Sequence, residues 1–236
     1  MEIWKEKYYE LLNYQFKLLT RNKRTKEIIP LVFISPLLVI FLSIIDNHEH
    51  HILLLLSFCS VYYICFPLLF SWDSGCVRGI ETKNIFIKDI ILSKIIFSVV
   101  LNILSTIIVT PFIYFSDYYD IKEVLIFNLF NILFFPFIMT YLASFNNKKI
   151  DINRSRTFNL EGYSLVYIMF TILPLFVYII IVILVLTLQI EPFNIGVLLA
   201  FLSCLNLIYL KKWIRIISRN LEKRRYERIS NFKKDD

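Results

Sequence analysis

The sequence predicts an all-α, polytopic membrane protein with six transmembrane helices and an interfacial helix at its N-terminal end. Three observations predict it. Hydrophobic residues fill 57% of the 236 positions and charged residues only 19%, against about half and about a quarter in a soluble domain; the mean hydropathy is +0.63. The charges are segregated, leaving long stretches with none, as expected where a charge at the bilayer centre costs about 2.5–3.5 kcal/mol. The apolar stretches between them approach the length of about 20 residues that a helix needs to span the hydrocarbon core.

The elements follow in order. Residues 1–27 form a cytoplasmic, interfacial segment: Trp4, Tyr8, Leu11, Leu12, Leu18 and Leu19 recur at helical spacing with charges between them, the pattern of a helix lying in the membrane surface. Residues 28–210 form the transmembrane domain. Its spans are Ile28 to Ile45, His51 to Trp72, Ile91 to Phe115, Val124 to Phe145, Tyr163 to Leu188, and a short sixth from Ile195 to Leu210. The sixth can lengthen through Trp213 and Ile217 if Lys211 and Lys212 snorkel to the interface. Residues 211–236 are a basic cytoplasmic tail, in which 213–228 repeat the amphipathic pattern more weakly. The first apolar run lies behind seven basic residues and is followed by no small-residue cleavage site, so it reads as a retained anchor.

Orientation follows from the lysines and arginines. Of the 26, all but Lys122 fall in the N-terminal segment, the second-to-third connection and the turn after it, the fourth-to-fifth connection, or the tail. The positive-inside rule places those segments, and both termini, in the cytoplasm. Six spans satisfy that parity. The net charge of +7 needs no nucleic acid to explain it.

Several chemistries lack their residues. No G-x-x-x-x-G-K-S/T loop is present, and Gly75, Gly79, Gly162 and Gly196 lie far apart, so the chain binds no ATP through a P-loop. No serine, histidine and aspartate set assembles, because all three histidines share one outer loop; the chain reads as no enzyme. His48, His50 and His51, with Asp46 and Glu49, offer metal-ligand types, but a polar turn between two spans explains them as well, and no metal is assigned. Cys59, Cys65, Cys76 and Cys204 outline neither a disulfide framework nor a zinc knuckle. The prolines Pro30, Pro36, Pro67, Pro111, Pro136 and Pro174 punctuate the spans, as hinges or as the kinks that membrane helices tolerate. The spans carry essentially no charge, which removes support for proton- or ion-coupled transport. Asn102, Ser105, Asn128 and Asn131 are their main polar groups, suited to bonds between helices.

Two cytoplasmic segments are richer. One runs from Phe70-Ser71-Trp72-Asp73-Ser74 through Lys88-Asp89 to Ser93-Lys94; the other from Asn146 to Gly162. Each reads either as a solvated connection or as a docking surface. Together with the span layout, they resemble the membrane subunit of a type-2 ABC exporter, and more narrowly a poorly characterised Bacteroidetes permease-like family. That family shows an F-S-W-D/E-S stretch, here Phe70 to Ser74, and a K-R/K-I-D-L/I-N-K/R-S-x-x-F-N stretch followed by a glycine. The second stretch is matched here by Lys148 to Asn159, including Lys149, Asp151, Asn153, Ser155, Phe158 and Asn159, then Gly162. The likeness covers roughly residues 60 to 185 and corresponds to the C-terminal half of many members. Cys76-Val77-Arg78-Gly79 departs from the aromatics and aspartate usual there.

The resemblance implies a permease subunit of an ATP-driven exporter in a bacterial inner membrane. It holds no cofactor itself and receives the work of ATP from a separate nucleotide-binding subunit. That ATPase would dock on residues 73 to 90 and the N-terminal helix, with Asp73, Arg78, Glu81 and Lys83 as coupling candidates. The path would form in a homodimer or with a related permease. The other expectation is a non-transporting membrane scaffold or assembly factor, whose basic tail binds a partner or anionic lipid.

Overall fold

In the computed structural model, the residues described are 9–13, 15–17, 23–46, 54, 57–58, 86–116, 118–145, 172, 176, 179–180, 183, 187 and 191–224. Among them every regular element is helical. Five continuous helices run as α1 (Lys23–Asp46), α2 (Ile87–Phe115), α3 (Ile121–Ala143), α4 (Pro192–Ile208) and α5 (Leu210–Lys223). Residues 9–13 and 15–17 are helical as well, with Leu11 and Gln15 buried one turn apart and Tyr9 and Phe16 exposed.

Two of these helices, α2 and α3, are long and apolar enough to cross a membrane. At 1.5 Å per residue α2 is about 43 Å long and α3 about 34 Å, against a hydrocarbon core of about 30 Å. The apolar part of α1, Pro30–Asp46, is shorter. α4 and α5 are long enough to cross only as a pair, and they are bent by 65° at Tyr209.

The helices are inside out relative to a soluble protein. On α2, Ser98, Asn102, Ser105 and Thr106 are buried, while Val100, Ile103, Leu104, Ile107 and Ile108 are exposed. Asn128 and Asn131 of α3 face inward too, and α4 exposes Val197, Leu198, Phe201, Leu202 and Leu205. Ile172, Phe176, Ile179, Ile180 and Ile183 continue this apolar exterior. In water such surfaces would be a large sticky patch. Against lipid they cost nothing, and the polar groups find partners between helices instead.

The contacts fix the direction of each helix. Val32, Ile40 and Ser43 of α1 meet Ser105, then Val109 and Ile113, then Tyr119 just beyond α2, so α1 and α2 run parallel. Thr106 of α2 meets Asn128 of α3, while Ile91 and Ile95 meet Phe137 and Ala143, so α2 and α3 are antiparallel. Gly196 lies against Ile126 and Phe127, and Asn206 against Leu133, so α3 and α4 run parallel. The turn between α2 and α3 is tight. Asp120 caps α3 by accepting from the Lys122 amide at 2.8 Å, and the Ser43 and Tyr119 hydroxyls share a hydrogen bond. The bundle therefore has a Tyr119 end and an opposite Ser144 end. Leu54 and Phe58 pack at the Tyr119 end.

Candidate functional site

The Ser144 end is where three elements converge. α2 begins there, α3 stops there, and α5 lies across both. α5 is strongly amphipathic: Ile217 and Leu221 bury against Ile91, Ile95, Phe137 and Ala143, whereas Lys211, Lys212, Arg215 and Arg219 are exposed. The chain turns through 65° at Tyr209 because the apolar run ends there and a helix with one charged face cannot stay in hydrocarbon. So the sixth span does not continue straight through Trp213 and Ile217. The first part of the basic tail is a packed helix.

Polar contacts lock α5 in place. Asn220 Nδ2 donates to Ser144 Oγ at 2.6 Å, and Ser144 Oγ in turn donates to the Tyr141 carbonyl at 2.6 Å. Arg224 Nη1 donates to the Phe145 carbonyl at 3.3 Å, and its guanidinium stands 4.8 Å from the Phe145 ring centroid. A cation there offsets the partial negative charge at the C-terminus of α3. Trp213 packs at 6.3 Å from Phe137 and 6.2 Å from Tyr141. Its Nε1 donates to Asn206 Oδ1 at 3.2 Å, and Asn206 Nδ2 reaches the Leu133 carbonyl at 3.2 Å. Leu133 adjoins Ile132, whose carbonyl Pro136 deprives of its helical donor.

Two charged residues are buried at the start of α2. Asp89 is 8% exposed and Lys94 1%, and each has an interaction partner. Asp89 sits in the first turn, where the helix N-terminus favours an anion. Lys94 is among the largest fully buried side chains. This corrects the expectation of essentially charge-free spans, which grouped Lys94 with the cytoplasmic loop charges. The available signal was its setting, Ile90-Ile91-Leu92-Ser93-Lys94-Ile95-Ile96, apolar on both sides.

Beside the elbow lies a cavity of about 670 Å³, walled by Phe130, Phe134, Ile180, Leu199 and Leu202, with Tyr209, Lys212 and Trp213 on the elbow side. Deeper in the bundle, Asn102 Nδ2 donates to the Phe58 carbonyl at 3.1 Å, and Asn128 Nδ2 donates to Thr106 Oγ1. The Oδ1 atoms of Asn102 and Asn128 are buried with no hydrogen-bond partner among the described residues.

Residues 7–235 match the profile of a family of unknown function, DUF5687. The chain belongs to that family. No curated protein and no solved structure matches it. In this DUF5687 chain the coupling candidates Asp73, Arg78, Glu81 and Lys83 lie outside the described residues. So do the loop residues Lys149, Asp151, Asn153, Ser155, Phe158, Asn159 and Gly162, and the histidines His48, His50 and His51. In sequence, the first of these segments leads into α2 and the second follows α3, the two helix ends that meet at the Ser144 end.

Proposed function

We infer that this chain is the membrane-spanning permease subunit of an ATP-driven, type-2-like exporter, with the ATPase on a separate subunit. The helix directions are compatible with the six spans the sequence suggests. α1 and α2 run parallel, and so do α3 and α4; a six-span path would return once between each pair and would bring both termini to the side where the basic residues gather.

The observation that carries the reading is the burial of the first turns of α2. In sequence, Asp73 to Lys83 precede a helix whose Ile91 and Ile95 are packed against α3 and α5 and whose Asp89 and Lys94 are buried. A partner gripping that segment moves a rigid element rather than a loose loop, and ATP binding can then bias two arrangements of the bundle. The permease would work as a homodimer or beside a related chain in a bacterial inner membrane. Mild-detergent purification should bring down a nucleotide-binding subunit, and charge reversal at Asp73 and Arg78 should release it. Purification without any ATP-binding partner removes the reading.

The basic outer face of α5 favours a second reading, a scaffold that binds a partner or anionic lipid without transport. Truncation at Asn220 is a poor test, because it removes Leu221 and Arg224, which hold α5 to the bundle. Charge reversal at exposed Arg215 and Arg219 tests it cleanly. Lost function with an intact ATPase complex would favour the scaffold.

A further inference from the structure

The cavity beside the elbow combines two features that call for one kind of occupant. Its walls are almost wholly hydrocarbon: Phe130 and Phe134 from α3, Leu199, Leu202 and Leu205 from α4, and Ile216 from α5. Away from the elbow edge, its polar groups are already engaged. Ser203 Oγ donates to the Ala200 carbonyl, and Asn206 bonds Leu133 and Trp213. Water in such a space lacks the two to four partners it needs, while acyl chains surround the exposed faces of α3 and α4. The volume of about 670 Å³ is that of a small-molecule site.

The charge lies at one edge. Lys212 lines the cavity from the first turn of α5, and its ammonium rests 5.7 Å from the Tyr209 ring centroid. No carboxylate among the described residues pairs with it. Tyr209 and Trp213 beside it are the aromatic types that sit at headgroup level. Lys211 and Arg215 add exposed positive charge nearby. An occupant that satisfies both halves has an apolar tail for the walls and an anion for Lys212.

We propose that this cavity is a lateral site for an anionic phospholipid, its acyl chain between Phe130, Phe134 and Leu202 and its phosphate on Lys212. The inference is independent of transport; it needs only a bilayer around the bundle.

Trp213 reports on the site directly. The full chain carrying Trp4→Phe and Trp72→Phe is placed in phosphatidylcholine nanodiscs, and its fluorescence is followed as lipids with brominated acyl chains are added. Brominated phosphatidylglycerol should quench Trp213 saturably, at about fivefold lower mole fraction than brominated phosphatidylcholine, the factor one basic residue contributes. Lys212→Gln should remove that preference, Lys212→Arg keep it, and Lys211→Gln leave it intact because Lys211 does not line the cavity. Leu202→Phe, which narrows the cavity, should weaken quenching by both lipids. Equal quenching by the two lipids, or a preference lost equally in Lys211→Gln and Lys212→Gln, overturns the proposal in favour of bulk lipid or a diffuse surface charge.

Discussion

The Ser105 hydroxyl donates to the Val32 carbonyl at 3.3 Å, and that carbonyl is the one Pro36 leaves without its helical donor. A proline inside a helix removes the amide that would bond four residues back. In hydrocarbon no water replaces it, so a neighbouring helix must. Ser105 of α2 does so for α1, and the proline and the helix contact depend on each other. Ser105→Ala is expected to cost about 1 kcal/mol. In a Pro36→Ala background, where residue 36 again offers an amide, the same substitution should cost close to nothing. A double-mutant cycle on thermal unfolding in detergent measures the difference, and additive effects would count against the pairing.

The two buried asparagines should behave differently although both leave an oxygen unpaired. Asn128 spends its amide on Thr106, one turn of α2 away from Asn102. Replacing both members, Asn128→Leu with Thr106→Val, removes an imperfect polar pair from an apolar setting and is expected to be neutral or mildly stabilising. Asn102 instead ties α2 to the Phe58 carbonyl at 3.1 Å. Asn102→Leu should therefore lower stability by about 1 kcal/mol and loosen the contact with that segment. Unfolding midpoints in one detergent rank the two, and the reverse order contradicts the assignment.

Much of the fold was legible in composition. The Ile91 to Phe115 and Val124 to Phe145 spans lie within four residues of α2 and α3 at each end, because a membrane helix is bounded by where charges begin. Asn102, Ser105 and Asn128 were legible as helix-to-helix donors for the same reason: nothing else in hydrocarbon can bond them. The elbow was harder to read. Tyr209 is neither glycine nor proline, and the bend arises from the switch between an all-round apolar helix and one with a single apolar face. Lys94, buried in the structure, was hidden because sequence charge does not say which way a helix turns. The residues suggested for ATPase contact adjoin α2 but were legible only through resemblance.

Gly196 lies where α4 packs tightly on α3. A Cβ there would stand 2.8 Å from Ile126 Cγ2 and 3.3 Å from Phe127 Cε2. Glycine is needed for the spacing of the helices, which small residues allow to approach. Gly196→Ala should destabilise by about 1–3 kcal/mol through overpacking. Ile126→Ala removes the methyl in the way and should restore most of that loss. Without rescue, the damage lies in helix conformation rather than in this contact.

The hold of α5 on the bundle should be dominated by its apolar face. Leu221 is 5% exposed within the cluster of Ile91, Ile95, Phe137, Ala143 and Ile217, so Leu221→Ala should cost about 2–5 kcal/mol of local packing. Leu221→Asp buries an unpaired carboxylate and should detach the helix outright. The Arg224 contact to Phe145 is partly exposed, where a cation over a ring contributes about 0.5–1 kcal/mol, so Arg224→Ala should only loosen the last turn. Limited trypsin digestion in nanodiscs separates the cases, since α5 carries Lys211, Lys212, Arg215 and Arg219 on its exposed face. Within residues 211–236, wild type and Arg224→Ala should be cut only from Lys223 onward, where the helix ends, whereas Leu221→Asp should be cut within 211–219. Cleavage within 211–219 in wild type would mean that α5 is not docked, and Ile91 and Ile95 of α2 would then lose the cover of Ile217 and Leu221.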